Sequence, residues 1–330
     1  MTAANLFVSQ LYHLAERKGV DTEDLLRRAD IRPEMIDSPA TRVETEKLAV
    51  IVESIWDHLQ DESMGLSGHR IPRGAFQMMG KLAIHEANLG EALEIGVRFY
   101  GMTTNAYRMA LEVEGNVTTL QFCMSNPELD PQHLFAESNL MAWHRFASWL
   151  IAENVALNDV YFDYPKPDHV AEYAYLFPGQ HIFNASFQGF SFDSRFLRRE
   201  VKQSAASLKA FVKRGPMEFF IQPKTDFNVS SDLQRLLKKH LPEGFPRIED
   251  AADRLHMTKR TLIRKLKEEG TSYQQLKDLV RRDRAIYLLT CRTMPLSEIA
   301  TAVGLSDSAV FARAFKTWTG VSPREYRVGN

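Results

Sequence analysis

The sequence predicts an α+β N-terminal region followed by an all-α C-terminal region of two helix–turn–helix units joined by a long helix. Three observations lead there. The apolar period is helical over most of the first hundred residues and becomes alternating at Tyr107. Near the C-terminus a short pattern occurs twice: Ala252, Leu255 and Met257 recur 48 residues later as Ala300, Val303 and Leu305, and Leu262, Arg264 and Leu266 recur 49 residues later as Phe311, Arg313 and Phe315. Finally, the net charge of -1 conceals a division. Residues 231–330 carry 19 Lys and Arg against 12 Asp and Glu, whereas residues 1–230 carry 22 against 30.

The helical segments of the first hundred residues can be placed individually. Asn5 to Arg17 is amphipathic and stops before Gly19, and Asp21 or Thr22 can cap the helix that follows. Thr45 introduces a helix with Leu48, Ile51, Val52, Ile55 and Leu59 along one stripe. After a glycine-punctuated stretch, LGEALEIGVRFYG reads as a helix closed by Gly101. YRMALEV and VTTLQFCM then flank a short turn at Glu114-Gly115-Asn116, the signature of an antiparallel hairpin. A long helix is expected from about His133 to Glu153, with Leu134, Trp143, Phe146, Ala147 and Leu150 for packing. VYFDYP and HIFNASFQGFSF read as strands around a helix in HVAEYAYLF, and residues 195–220 read as mostly helical. IQPKTDFNVSSD has linker composition, which places a boundary near Asn228 and predicts domains of residues 1–228 and 229–330.

Composition restricts the function classes. A chain of 330 residues with 44% apolar and 25% charged content is long enough for two folded domains. No apolar run approaches the ~20 residues that span a bilayer, and no secretory pattern opens the chain, so no membrane partner is expected. Cys123 and Cys291 lie too far apart to suggest a disulfide framework or zinc site, which fits a cytoplasmic protein. No phosphate loop, metal-ligating cluster or nucleophile motif occurs, so neither catalytic residues nor a cofactor nor a metal is expected. Cationic and aromatic side chains do crowd together at Arg98, Tyr100, Tyr107 and Arg108, and again at Trp143 and Arg145. These six are candidates for a pocket that takes an apolar ligand with a carboxylate or phosphate head, an organic acid for example. Ordinary core aromatics with snorkelling arginines are the alternative.

The basic last hundred residues suit a double-stranded DNA partner. In the first unit Thr258 caps a helix that runs to Gly270, with Leu262 and Leu266 facing inward. That leaves Thr258, Lys259, Arg260, Ile263, Arg264 and Lys267 for DNA, and an arginine there can bind guanine O6 and N7 bidentately. In the second, Asp307 caps a helix ended by Gly320, with Phe311 and Phe315 inward and Ser308, Ala309, Arg313 and Lys316 outward. Recognition helices about 34 Å apart enter consecutive major-groove segments.

Residues 298–327, EIATAVGLSDSAVFARAFKTWTGVSPREYR, closely resemble the signature of the AraC/XylS family of bacterial transcription regulators, and AADRLHMTKRTLIRKLKEEG resembles the first half of the same domain. The resemblance implies two helix–turn–helix units on an asymmetric promoter site, with base-facing positions at Arg260, Ile263, Arg264, Ser308, Ala309 and Arg313. Two departures stand out: Arg282 replaces a common leucine, and small residues occupy the second recognition helix. LGEALEIGVRFY and FPGQHIFNASFQGFSFD resemble the arabinose-binding-like effector domain of ornithine-utilisation-type regulators. That implies sensing of a small molecule and support of a homodimer. The expectation is therefore an effector-controlled activator that works with RNA polymerase. The competing expectation is an enzyme or DNA-repair alkyl-acceptor fused to the same DNA-binding module.

Overall fold

A computed structural model describes residues 2–36, 42–167, 170, 173–177, 179–213, 215, 229–241, 244–268, 271–291, 294–319 and 322–328. Its contacts divide the chain into two compact units, one of Gln10–Asp30 and Thr45–Thr225, the other of Met1–Ser9, Ile31–Glu44 and Asp226–Asn330. Among the described residues no helix is long and apolar enough to cross a membrane.

The first unit is α+β. Its sheet has five strands in the order β3-β4-β7-β5-β6: β3 (Tyr107–Glu114), β4 (Val117–Met124), β7 (Gln188–Asp193), β5 (Leu157–Tyr161) and β6 (Gln180–Ile182). All neighbours are antiparallel except β5 and β6. The β3–β4 register pairs Glu114 with Val117, so Gly115 and Asn116 form a two-residue turn in which Gly115 takes φ +59°. Beside the sheet lie α3 (Thr45–Leu59), α4 (Ala75–Ala83), α5 (Leu89–Thr103), α6 (Leu134–Leu150) and α8 (Ala205–Lys213). Asp21 caps α2 (Thr22–Ala29) by accepting the Asp24 N–H at 3.0 Å. The predicted stripe of α3 is buried at Leu48, Ile51, Val52 and Ile55.

Helices α5 and α6 meet through one close contact. A Cβ on Gly96 would stand 2.2 Å from the Trp143 ring, so only glycine lets the indole seat itself between α5 and the sheet. Trp143 then packs against Tyr100, Phe122 and Phe146.

The second unit contains α9 (Val229–His240), α10 (Ile248–Arg254), α11 (Lys259–Glu268), α12 (Tyr273–Cys291), α13 (Leu296–Ala302), α14 (Ser308–Thr319) and α15 (Pro323–Val328). It also holds a two-stranded antiparallel sheet of β1 (Thr2–Ala4) and β2 (Arg42–Glu44). The helical segment has two cores. Leu233, Leu237, Leu262, Leu266, Leu276 and Val280 belong to the first, and Ile286, Leu289, Ile299, Phe311, Phe315 and Tyr326 to the second. The N-terminal half of α12 therefore serves one helix–turn–helix unit and its C-terminal half the other.

Several local expectations are corrected. α4 lies within the glycine-punctuated stretch, where no helix was expected: Gly74 at φ +93° starts it, and the Glu62 carboxylate satisfies its first amides. α5 runs past Gly101 to Thr103, because nothing at Gly101 demands positive φ. The linker reading of 221–232 extends too far, since Val229 already begins α9; Val229 and Leu233 are drawn into the first core. The helix expected in 169–177 is described only over α7 (Tyr173–Leu176), while the described part of 195–220, read as mostly helical, holds a 3-10 turn at Ser194–Arg198 and α8. The predicted boundary at Asn228 and the stops at Gly270 and Gly320 lie outside the described residues.

Candidate functional site

The repeat detected in the sequence is a repeat of backbone hydrogen bonds. In the first unit the Met257 N–H donates to Ala252 O at 3.0 Å and the His256 N–H to Asp253 O at 3.0 Å. Shifted by the same spacing, the Leu305 N–H donates to Ala300 O at 2.9 Å and the Gly304 N–H to Thr301 O at 2.9 Å. His256 and Gly304 both turn the chain in the left-handed region, with φ of 55° and 69°. The one-residue slip falls immediately after, where the caps differ. Thr258 accepts the Thr261 N–H at 3.2 Å, while Asp307 accepts from Ala309 and Val310, each at 2.8 Å. Those two amides, Val310 first, hold the Asp307 carboxyl below the usual carboxylate range.

Burial of the inward side chains decides which ones point out. Leu262 and Leu266 are buried in the first core, and Thr258, Lys259, Arg260, Ile263, Arg264 and Lys267 are exposed. Ile263 is 47% exposed on an otherwise cationic face, an arrangement suited to meeting a thymine methyl group. Lys259 is paired with Glu249 of α10 at 2.7 Å, so its charge is partly committed within the protein. In the second unit Phe311 and Phe315 are fully buried, and Ser308, Ala309, Arg313 and Lys316 are exposed.

Arg281 on α12 contacts both helix–turn–helix units, and its neighbour Arg282 is buried beside it. Arg281 donates to the two carbonyls that follow α13, Val303 O at 3.1 Å and Gly304 O at 3.2 Å. Its guanidinium also lies 4.9 Å from the Phe245 ring centroid, against the first core. It thus grips both units and restricts the angle between their recognition helices. Arg282 is buried to 2% exposure, with Nη2 3.3 Å from Asp283 Oδ1, between the stretches of α12 that serve the two cores.

The first unit holds a cavity of about 390 Å³ lined by α3, the loop after it, α4, α5, β3, α6, α8 and Gly215. Its walls include Trp56, Ile71, Phe76, Tyr100, Tyr107 and Phe135, with Gln77, Ser138 and Asn139 as neutral polar groups. Among the described residues the charged lining is Glu62 and Arg73. The loop that presents them is tightly built. Buried Asp61 accepts hydrogen bonds from the Ser63, Gly65 and Ile71 amides and from the Ser63 hydroxyl. The Glu62 oxygens accept from the Gly74 amide at 2.7 Å and the Phe76 amide at 3.0 Å, and burial pushes the carboxyl up from its usual value. Arg73 stacks 4.8 Å from the Trp56 centroid and pairs with Asp57 at 3.2 Å.

The family described as the arabinose-binding domain of AraC transcription regulator, N-term, matches residues 19–201, and a helix-turn-helix domain matches residues 251–328. The chain belongs to the AraC family. It is similar to the ornithine utilization regulator of Pseudomonas aeruginosa, with 31% identity over 97% of this chain and 95% of that one. An uncharacterized HTH-type transcriptional regulator of Mycobacterium tuberculosis is 26% identical over 96% of this chain and 93% of its own. Among solved structures, the transcriptional regulator CdpR from Pseudomonas aeruginosa is 22% identical, covering 93% of this chain and 96% of that one at a TM-score of 0.33. The protein is a DNA-binding transcription regulator of the helix-turn-helix type.

Within this AraC-family chain the six residues singled out as pocket candidates separate. Tyr100 and Tyr107 line the cavity. Trp143 stands behind them, within hydrogen-bonding reach of the Tyr107 hydroxyl. Arg98 and Arg108 are exposed on α5 and β3 and are not among the lining residues. Arg145 is sealed in the core of α6, bonded to His144 Nδ1 at 2.8 Å and Leu176 O at 3.2 Å. Burial, then the adjacent Arg145 charge, pulls the His144 pKa down to about 3, so the imidazole is neutral and can accept. Glu62 and Arg73 escaped the sequence reading because each looks like an isolated surface charge; a glutamate just before a glycine-rich turn was the available signal. Cys123 is exposed on β4, and among the described residues no group of three or more His, Cys, Asp and Glu could hold a metal.

Proposed function

We propose that this regulator is an activator controlled by a small-molecule effector, with residues 1–228 sensing the effector and supporting a homodimer and residues 229–330 holding promoter DNA. Both recognition helices contact the duplex: Thr258, Lys259, Arg260, Ile263, Arg264 and Lys267 from the first, and Ser308, Ala309, Arg313 and Lys316 from the second. Arg260 and Arg264 read base edges while the lysines contact phosphates. The observation that carries this reading is the duplicated turn, in which two capped helices of one basic unit each bury an apolar pair and leave a polar face outward. Its value lies in geometry, since a lone basic helix would not fix a register on DNA.

The effector occupies the aromatic cavity and shifts a population between conformations that present the recognition helices differently to promoter DNA and RNA polymerase. The protein works in the cytoplasm by binding, without a cofactor or a chemical step of its own.

The test is a titration of the full chain against DNA from its own promoter region and against single-base variants. Arg264→Ala should weaken binding and relax preference at one base pair, whereas Lys267→Ala should weaken all sequences alike and flatten the salt dependence. Unchanged affinity and base preference in Arg264→Ala would remove that residue from the interface.

A further inference from the structure

The aromatic cavity has a polarity opposite to the one its neighbouring arginines suggest. Arg98 and Arg108 are exposed and Arg145 is buried in the core, so none of them is among its lining residues. Among the described lining residues the remaining cation is Arg73, which is already engaged by Asp57 at 3.2 Å, by Glu62 at 4.0 Å and by the Trp56 face. Asp57, 62% exposed and outside the lining, makes the closer contact with Arg73, so Glu62, only 12% exposed, is the less fully paired of the two lining charges. An anionic ligand would add a like charge at a poorly hydrated site; a cationic one would neutralise it.

Glu62 is suited to meet that cation. Its side chain is 12% exposed, and each oxygen accepts one backbone N–H, so further lone pairs remain available. Its charge is felt at both the Tyr100 and Tyr107 hydroxyls, which burial keeps protonated. Tyr100, Tyr107 and Phe135 form a continuous wall, with centroid separations of 5.4 and 5.9 Å. Aromatic faces attract ammonium groups and also bury the hydrocarbon attached to them.

We propose that the cavity binds an organic cation, a primary ammonium ligand whose charged head pairs with Glu62 while its chain or ring lies along Tyr100, Tyr107 and Phe135. This rests on the reading of the cavity as the effector site and specifies the ligand class that site accepts. Ser138, Asn139 and Gln77 are available for the ammonium hydrogens that Glu62 does not take.

The experiment compares a matched series on the full chain by isothermal titration: hexylammonium and phenethylammonium against hexanoate and hexanol. The ammonium compounds should bind more tightly than the alcohol, and hexanoate more weakly than either. Glu62→Gln keeps the size of the side chain and should weaken ammonium binding about ten- to a hundredfold while leaving hexanol unchanged. Because Glu62 also holds the first turn of α4, a second variant works from a different element of the wall. Ala142→Leu fills the cavity from α6 without touching Glu62 and should abolish binding of the whole series. Hexanoate binding more tightly than the ammonium compounds, with Ala142→Leu still blocking it, would overturn the charge assignment and leave the cavity as the effector site. No binding by any member, or ammonium binding untouched by Ala142→Leu, would overturn both.

Discussion

The two helix–turn–helix units share one backbone design but differ in the chemistry placed on it. The first closes over an aliphatic core, with Leu262 and Leu266 against Leu233, Leu237 and Val280, and exposes Arg260, Ile263, Arg264 and Lys267. The second closes over aromatics, Phe311 with Phe315 at 5.5 Å and Phe315 with Tyr326 at 5.3 Å, and exposes Ser308, Ala309, Arg313, Lys316 and Thr317. The difference shows that turn geometry and DNA contact are separable properties. The main-chain bonds at Ala252–Met257 and Ala300–Leu305 preserve the turn, while the outward face is free to become rich or poor in cations. A unit with a rigid aromatic core and a small outward face is suited to setting register, and one with arginines and lysines outward is suited to supplying affinity.

The largest expected effect tests whether the cores are separate. Phe311→Ala should cost about 3–5 kcal/mol and Leu262→Ala about 2–5 kcal/mol. Hydrogen exchange should show α14 losing protection in the first variant and α11 in the second. Equal loss in both helices for either variant would merge the cores into one cooperative block.

Next in size is the division of labour on DNA. Arg264→Ala should cost about 1–3 kcal/mol at one base pair, and Arg313→Ala should cost less. The two variants titrated on one promoter fragment give the order directly, and a costlier Arg313 change would reverse it.

A smaller effect concerns the turn. Gly304→Ala should destabilise by about 1 kcal/mol, because a side chain is forced into left-handed backbone, whereas His256→Gly relieves such strain and should be neutral or slightly stabilising. Denaturant midpoints that moved together in the two variants would show that the equivalence of His256 and Gly304 ends at their dihedral angles.

The smallest expected effect separates the caps by pH. The Asp307 carboxyl titrates below its unfolded value, so its contribution is complete above about pH 4 and disappears as pH falls through the lowered folded value. Thr258 does not titrate. Acidification below about pH 4 should therefore increase the exchange of α14 amides near Ala309 and Val310, and Asp307→Asn should remove that pH response. An equal acid response at the first turn of α11 would show that the cap is not its source.

Much of the second unit was legible in the chain itself. Local rules act over a few residues, so the capping of α11 by Thr258 and α14 by Asp307, the inward leucine and phenylalanine pairs, and the repeat spacing could all be read directly. The hairpin at Gly115 was legible for the same reason. The cavity was different. Glu62, Arg73, Tyr100, Tyr107 and Phe135 come from separate elements, and no local pattern joins a glutamate in a loop to tyrosines on α5 and β3. Three arginines near the aromatics suggested an anion site, yet charge sign at a pocket depends on which side chains turn inward.

Sequence by itself therefore determined the two-unit plan, the family and the outward faces of the recognition helices, because helical periodicity and capping are short-range. Tertiary structure alone decided that Arg145 is sealed behind His144 and that Arg281 bridges the second turn and the first core. It also decided that Glu62 faces an aromatic wall. Those outcomes depend on burial and on contacts between distant residues, which set local dielectric and charge balance.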